Sequence, residues 1–173
     1  MPTYRRAMTQ FDAPALFDAA LATVRQNAYG FLATTAAPGP HVRLVRHIDV
    51  DDDATVWIGT SPRSRKVTEV AAHAEVAYAI EDRNAVAYVT IQARADVIDD
   101  LAARVAKWHE ESRRFFPGGP EGDDFVLLRL TPHRIEVMDF TRRIHPDPYG
   151  LVPAVIERAA DGTWVEHTAV RGS

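Results

Sequence analysis

The stretch VWIGTSPRSRKV, residues 56–67, joins an apolar run to a turn and then to the start of a helix. Residues 55–59 predict a β-strand, and Ser61 followed by Pro62 predicts the cap and first residue of a short helix. Three cations, Arg63, Arg65 and Lys66, accompany this helix start. Cations are unfavourable beside the positive end of a helix, so their presence favours a bound anion such as phosphate. A solvated basic helix face is the alternative.

The rest of the chain predicts a mainly β protein with three helices. Asp12 and Pro14 predict a helix that ends at Gly30, and Asp99 or Asp100 caps a helix that reaches about Phe115. The predicted strands are residues 31–35, 41–50, 55–59, 75–80, 85–98, 125–130, 134–140, 154–158 and 163–165. Many short strands with few helices predict a β-barrel with helical decoration. We expect one domain, residues 1–173, with a core at about 12–140 and a C-terminal hairpin extension at about 141–173.

Composition excludes several classes of function. The chain has 173 residues, no Cys and a net charge of -4, which argues against nucleic acid as a partner and removes thiol chemistry. Residues 1–10 hold no apolar run typical of a signal peptide, and no stretch approaches the ~20 apolar residues of a membrane span. The seven His do not show metal-binding spacing, so we expect no metal. The expected location is cytoplasmic.

Residues 41–46, HVRLVR, form a second informative segment. Strand alternation places His41, Arg43 and Val45 on one face. The opposite face then carries Val42, Leu44 and Arg46. An edge strand with exposed Arg has the same pattern, so the segment alone does not identify a site.

Together the two segments resemble the FMN-binding split-barrel superfamily of the pyridoxamine 5'-phosphate oxidases, and most closely its general stress protein 26 branch. The resemblance covers about residues 30–140. Its marks are Trp57, Ser64-Arg65-Lys66-Val67, Tyr88-Val89-Thr90, and Phe116-Pro117-Gly118-Gly119-Pro120 followed by VLLRL at 126–130. It implies an antiparallel, six-stranded Greek-key split barrel that binds FMN and forms a homodimer with flavin sites at the interface.

The resemblance also implies site residues by position. Ser64, Arg65 and Lys66 would hold the phosphate, and Gly59 and Thr60 would lie at the flavin edge, where a missing or short side chain permits close approach. Tyr88 takes the place of a Gln from the neighbouring strand. Arg46 and Met138 occupy substrate-side positions. The strand lining the isoalloxazine and ribityl chain would consist of His41, Val42, Arg43, Leu44 and Val45.

The sequence also departs from the oxidases. Met138 replaces a Trp that contacts flavin, and Arg143-Ile144-His145 resembles the substrate clamp but arrives one residue early. We therefore interpret Arg143 and His145 as ordinary turn residues, with ligand-binding groups as the alternative. We therefore expect an FMN-dependent oxidoreductase whose substrate and catalytic residues are unknown, with poor activity on pyridoxamine 5'-phosphate. The alternatives are a non-catalytic flavin-binding stress protein and a deazaflavin-dependent reductase. FAD is a further alternative cofactor.

Overall fold

The computed structural model describes residues 11–146 and 150–167 of the chain. Helix α1 (Ala13–Gln26) begins as predicted, because the side chain of Asp12 accepts a hydrogen bond from the backbone N–H of Ala15 at 3.0 Å. Its buried face carries Leu16, Ala20 and Val24, the helical spacing read from the sequence. The prediction for residues 1–10 falls outside the described residues.

The described part of the chain contains nine strands of one antiparallel sheet. Their bounds are β1 (Tyr29–Ala36), β2 (Gly39–Arg46), β3 (Asp49–Val50), β4 (Val56–Thr60), β5 (Glu75–Asp82), β6 (Ala87–Ile98), β7 (Val126–Asp139), β8 (Ala154–Arg158) and β9 (Trp164–Glu166). The path β2-β1-β5-β6-β7-β4-β3 curls around the core, and β8 and β9 extend it from β7. The predicted mainly β, antiparallel barrel class is confirmed. The sheet has three strands more than the six that the resemblance implies, namely the short β3, which is separate from β2, and the hairpin β8–β9, which pairs with β7.

The sheet curls back on itself between β2 and β3. The backbone N–H of His47 donates to Ala28 beside β1 at 3.0 Å, and the next N–H, of Ile48, donates to Trp57 of β4 at 2.8 Å. Consecutive residues therefore pair with strands at opposite ends of the path. The single strand predicted at 41–50 is wrong for this reason, since the chain changes partner in its middle. The resulting split lies between β2 and β4, and helix α2 (Arg65–Ala72) follows β4 along the chain.

Gly30 lies within β1 and does not end α1, which stops at Gln26 with Asn27 as its C-terminal cap. A Cβ atom on Gly30 would lie 2.6 Å from Cζ of Tyr78 and 2.7 Å from the carbonyl oxygen of Ala79. The glycine is therefore required because the buried Tyr78 ring packs against the backbone of β1. The predicted helix end at this glycine is wrong.

Two predicted helices have different bounds. Helix α2 (Arg65–Ala72) has Ser64, not Ser61, at its N-terminal cap position. Ser61 belongs to the preceding turn, where its hydroxyl oxygen accepts a hydrogen bond from the N–H of Arg63 at 3.2 Å. Helix α3 (Leu101–Ala106) keeps its predicted cap, Asp100, but does not reach residue 115. Lys107 and Trp108 instead turn to contact the barrel, and a 3₁₀ segment, Glu110–Arg114, follows.

The two strands predicted at 125–130 and 134–140 form one strand, β7. A shift in its pairing with β6 occurs between Gln92 and Ala93, which face Arg134 and Pro132. A bulge absorbs the proline at that point, so the strand bends without ending. The predicted C-terminal hairpin is present as β8–β9, and Trp164 of β9 stacks on Phe17 of α1 at 5.5 Å between ring centroids.

The core lies inside the curled sheet. Its fully buried members include Leu32, Tyr78, Ile80, Ile91, Leu128, Leu130, Ile135 and Ile156. In the described part of the chain, no helix combines the length and apolarity needed to cross a bilayer.

Candidate functional site

A group of polar side chains, which we call the lysine cluster, lies at the start of α2. Lys66 donates a hydrogen bond to the hydroxyl oxygen of Thr60 at 2.9 Å, and the hydroxyl of Ser64 lies 3.2 Å from the same atom. Thr60 ends strand β4 and Ser64 is the N-terminal cap of α2, so the cluster spans the turn between these elements. The Ser64 side chain makes no cap hydrogen bond to the helix backbone. Lys66 is thus held at the helix end that attracts anions.

Burial lowers the pKa of the Lys66 ammonium group below its usual value, and the positive charge of Arg43 lowers it further. The carboxylate of Glu69 acts in the opposite direction. The charges of Arg43 and Glu69 both act on Lys66, so the three side chains form one charged region.

A second group, which we call the glutamate cluster, lies between α2 and strands β1 and β2. Glu69 of α2 accepts hydrogen bonds from the hydroxyl of Thr34 at 2.5 Å, from Nδ1 of His41 at 2.6 Å and from the guanidinium of Arg43 at 2.6 Å. Arg43 also donates to Oγ1 of Thr34 at 2.6 Å. The four side chains therefore fix the edge strand β2 to the helix.

The Glu69 carboxylate is ionised at any physiological pH. Hydrogen bonds from Thr34 and His41, followed by the hydrogen bond and charge of Arg43, lower its pKa to about 2. Such a group cannot donate a proton near neutral pH. Its chemical capacity is to hold cations and hydrogen-bond donors in place.

The structure brings together His41, Arg43, Thr60, Ser64 and Lys66 out of the residues expected in the site. The predicted alternation of β2 is confirmed, with Val45 buried and with Val42 and Leu44 exposed on the opposite face. Arg65 is exposed at the first residue of α2. Arg46 points away and pairs with Glu111 at 2.6 Å.

Gly59 has a packing role in this structure. A Cβ atom there would lie 2.7 Å from Cε2 of Phe125, so the ring of Phe125 fills the space that a side chain would need. Packing of Phe125 explains the glycine without a flavin. Contact between the Gly59 backbone and a flavin stays a prediction.

Tyr88 and Met138 lie elsewhere in the same chain. They pair with each other across β6 and β7. Thr34 of β1 pairs with Val76 of β5, and Val76 pairs with Ala93 of β6. Tyr88 is five residues along β6 from Ala93. Five strand residues span about 17 Å. The side chain of Met138 is buried. One chain alone therefore does not bring these two residues to the clusters.

Arg143 lies in a tight turn after β7, and His145 follows that turn. The bridge between Asp139 and Ile144 closes this turn, and His145 stacks on Phe140 at 4.7 Å between ring centroids. The interpretation as an ordinary turn residue therefore fits Arg143, and His145 packs beside the turn.

Sequence reasoning missed Glu69 and Thr34. Glu69 follows Lys66 by three residues, the spacing that places two side chains on neighbouring positions of a helix, and Thr34 pairs with His41 across β1 and β2. The helix spacing was readable from the sequence, whereas the strand register was not.

The donor set fits a phosphate group. Lys66, Arg65, the hydroxyl of Ser64 and the first N–H groups of α2 all lie at one helix end, and Arg43 adds a cation nearby. Within the described residues, no group of three or more His, Asp or Glu side chains could hold a metal ion.

The sequence profile of the family described as pyridoxamine 5'-phosphate oxidase like matches residues 18–155. The chain belongs to the pyridoxamine 5'-phosphate oxidase-like family. The matched region of this family member runs from α1 to β8 and includes both clusters. No curated protein sequence matches the chain.

Solved structures share the fold of this pyridoxamine 5'-phosphate oxidase-like protein. A protein from Clostridium acetobutylicum related to general stress protein 26 has a TM-score of 0.66 at 17% identity, covering 76% of this chain and 92% of its own. A pyridoxamine 5'-phosphate oxidase-related, FMN-binding protein from Nostoc punctiforme has a TM-score of 0.66 at 18% identity, covering 90% and 93%. A heme-binding protein from Mycobacterium smegmatis has a TM-score of 0.59 at 20% identity, covering 72% and 54%. Identities this low show similarity of fold.

Proposed function

We propose that the protein binds FMN across the split between β2 and β4, with the phosphate at the start of α2. The observation that carries this proposal is the lysine cluster, which holds a partly buried ammonium group beside two hydroxyls at a helix N-terminus. Family membership supports a flavin as the molecule that brings the phosphate.

The charge of the region suits a phosphate. Lys66, Arg65 and Arg43 supply three positive charges, whereas Glu69 supplies one negative charge. Two positive charges therefore remain for a phosphate monoester, which carries ≈ 1.5 to 2 negative charges near neutral pH. Charge-assisted hydrogen bonds from Lys66 and Arg65 would fix it.

We propose an FMN-dependent oxidoreductase. A bound flavin supplies hydride or electron transfer, and the protein supplies placement and hydrogen bonds. Lys66, Arg65 and Ser64 would bind the phosphate, and β2 from His41 to Val45 would line the ribityl chain and ring. Arg43 cannot swing freely, because Thr34 and Glu69 hold it, so it would present the same face to every ligand.

A homodimer is the second part of the proposal. Tyr29 and Phe31 of β1 and Val42 and Leu44 of β2 form an apolar patch on the outer face of the sheet, which we call the outer patch, and each side chain is at least half exposed. Exposed apolar patches of this kind mark interaction sites. We propose that a second copy covers the outer patch and that the flavin sites lie at the interface between the two copies.

The direct test is purification without added flavin, followed by an absorption spectrum and mass spectrometry of the released molecule. We expect FMN in about one copy per chain. A deazaflavin, FAD, haem or no cofactor would each contradict the FMN assignment. Turnover of a reduced nicotinamide with an electron acceptor supports an oxidoreductase. FMN binding without turnover supports the alternative, a non-catalytic flavin-binding stress protein.

The proposed location is cytoplasmic. Fractionation of cells that express the full chain tests it, and recovery in the membrane fraction would contradict it.

A further inference from the structure

One carboxylate lies among the cations that we assign to the phosphate. Glu69 follows Lys66 on the same helix, and its side chain is 9% exposed. It accepts hydrogen bonds from three residues of two different strands, Thr34, His41 and Arg43. Its position is therefore fixed by β1 and β2 as well as by α2.

Arg43 is held on two sides. One guanidinium nitrogen donates to Oγ1 of Thr34 at 2.6 Å and to the carbonyl oxygen of Leu32 at 3.3 Å, and the other donates to Glu69 at 2.6 Å. Glu69 thus pairs directly with Arg43 and acts electrostatically on Lys66, while these two cations repel each other.

We propose that Glu69 is a specificity-determining counter-charge: it balances Arg43 and Lys66 while no phosphate is bound, and it limits how strongly the site prefers phosphorylated to unphosphorylated flavin. This inference rests on the proposed function, because it takes the phosphate to lie at Lys66.

The physical reason is repulsion between anions. Lys66 and Glu69 are three residues apart on α2 and are therefore neighbours on its surface, so a phosphate held by Lys66 lies within range of the Glu69 carboxylate. Repulsion between partly buried charges is screened weakly by salt. An uncharged ligand such as riboflavin does not experience it, so the carboxylate acts on the difference between the two flavins.

The test uses Glu69→Gln, which removes the charge and keeps the shape and the ability to accept hydrogen bonds from Arg43. FMN and riboflavin are titrated into the wild-type protein and the variant. We expect FMN to bind at least about tenfold more tightly to the variant, while riboflavin affinity stays within about twofold. Equal changes for both flavins, or weaker FMN binding, would overturn the proposal.

Two further variants separate charge from structure. Glu157→Gln removes a carboxylate from β8, which four strands separate from β2, and should leave the FMN preference unchanged. Glu69→Asp keeps the charge on a shorter side chain and should retain the wild-type preference even if Glu69→Gln does not fold. A raised FMN preference in either variant would contradict a role based on the charge of Glu69.

A readout without flavin distinguishes this inference from the proposed function. Inorganic phosphate is titrated into protein carrying ¹³C-labelled lysine, and the Lys66 signal is followed. Glu69→Gln should strengthen phosphate binding at Lys66 by about tenfold. If the wild type binds no flavin, the proposed function fails while this titration still decides the role of Glu69. An unchanged phosphate affinity in Glu69→Gln would overturn the role proposed for Glu69.

Discussion

The ammonium group of Lys66 lies 2.9 Å from the hydroxyl oxygen of Thr60, so the first turn of α2 is tied to the last residue of β4. The other lysine of the chain, Lys107, binds two carboxylates, Asp49 at 2.6 Å and Asp51 at 2.7 Å. The two lysines therefore have opposite environments. Burial and Arg43 lower the pKa of Lys66, whereas hydrogen bonds from its ammonium group to the two carboxylates raise the pKa of Lys107 against the effect of burial.

The first prediction follows from this contrast. Because the sequence contains only Lys66 and Lys107, a spectrum of ¹³C-labelled lysine side chains shows two signals, which Lys107→Arg assigns. As pH rises, Lys66 should lose its proton first, below the usual lysine range, and Lys107 above it. Because the pKa of Lys107 is raised in the folded protein, its ammonium group stabilises the fold at pH values below the pKa of an unfolded lysine. This stabilisation is lost as the pH rises through the pKa of Lys107 in the folded protein. Titration in the reverse order would contradict the described environments.

The second prediction concerns the packing of Gly59. Gly59→Ala places a Cβ atom 2.7 Å from Cε2 of Phe125, so the ring must move. Overpacking of this kind costs about 1–3 kcal/mol of unfolding free energy. Chemical denaturation measures it. Gly39→Ala is the matched control, because no heavy atom lies within 4 Å of its added Cβ, and it should change stability much less. An equal loss in both variants would refute the packing role of Gly59.

The third prediction concerns the outer patch. Leu44→Glu should convert the proposed dimer to monomer, because it buries a charge without a partner in the interface. Val105→Glu, at an equally apolar and exposed position on α3, should leave the dimer intact. Light scattering at micromolar concentration measures the mass of each. A wild-type monomer that binds FMN stoichiometrically would exclude the dimer.

The fourth prediction is poor oxidation of pyridoxamine 5'-phosphate. Met138 at the Trp position is buried, Arg143 lies in a closed turn and His145 follows it, so the groups that contact flavin and substrate in the oxidases are missing or displaced. A displacement of about 1 Å can reduce a rate on the order of a hundredfold. An oxygen-dependent oxidase assay should therefore give turnover well below roughly one per second, under the usual range for enzymes. Turnover near that value would show this expectation to be wrong.

The sequence predicted the barrel class because strand alternation and turn residues are local signals. Helix caps are local signals too, and the predicted capping roles of Asp12 and Asp100 are confirmed. It did not predict the division of residues 41–50, because that depends on which strands His47 and Ile48 meet after folding. It overextended α3 because the contacts of Lys107 with Asp49 and Asp51 join residues more than fifty positions apart.

The candidate site was predicted in part for the same reason. Ser64 and Lys66 belong to one short motif that is visible in the sequence. Both side chains contact the hydroxyl of Thr60, because the turn from β4 to α2 brings these residues together. Glu69 was missed, because its partners Thr34 and Arg43 come from strands whose register only the folded sheet defines.

The most direct test of the account is the affinity of FMN and riboflavin for the wild type and for a variant that combines Arg65→Ala with Lys66→Ala. Each lost charge-assisted hydrogen bond removes about 1.5–3 kcal/mol, so FMN binding should weaken by roughly a hundredfold to ten-thousandfold. The two losses need not add, because both side chains serve one phosphate. Arg63→Ala is the matched control, since Arg63 is exposed and pairs with Asp123 outside the lysine cluster. Riboflavin affinity should change far less than FMN affinity. An equal loss of both flavins would contradict a phosphate site at Arg65 and Lys66.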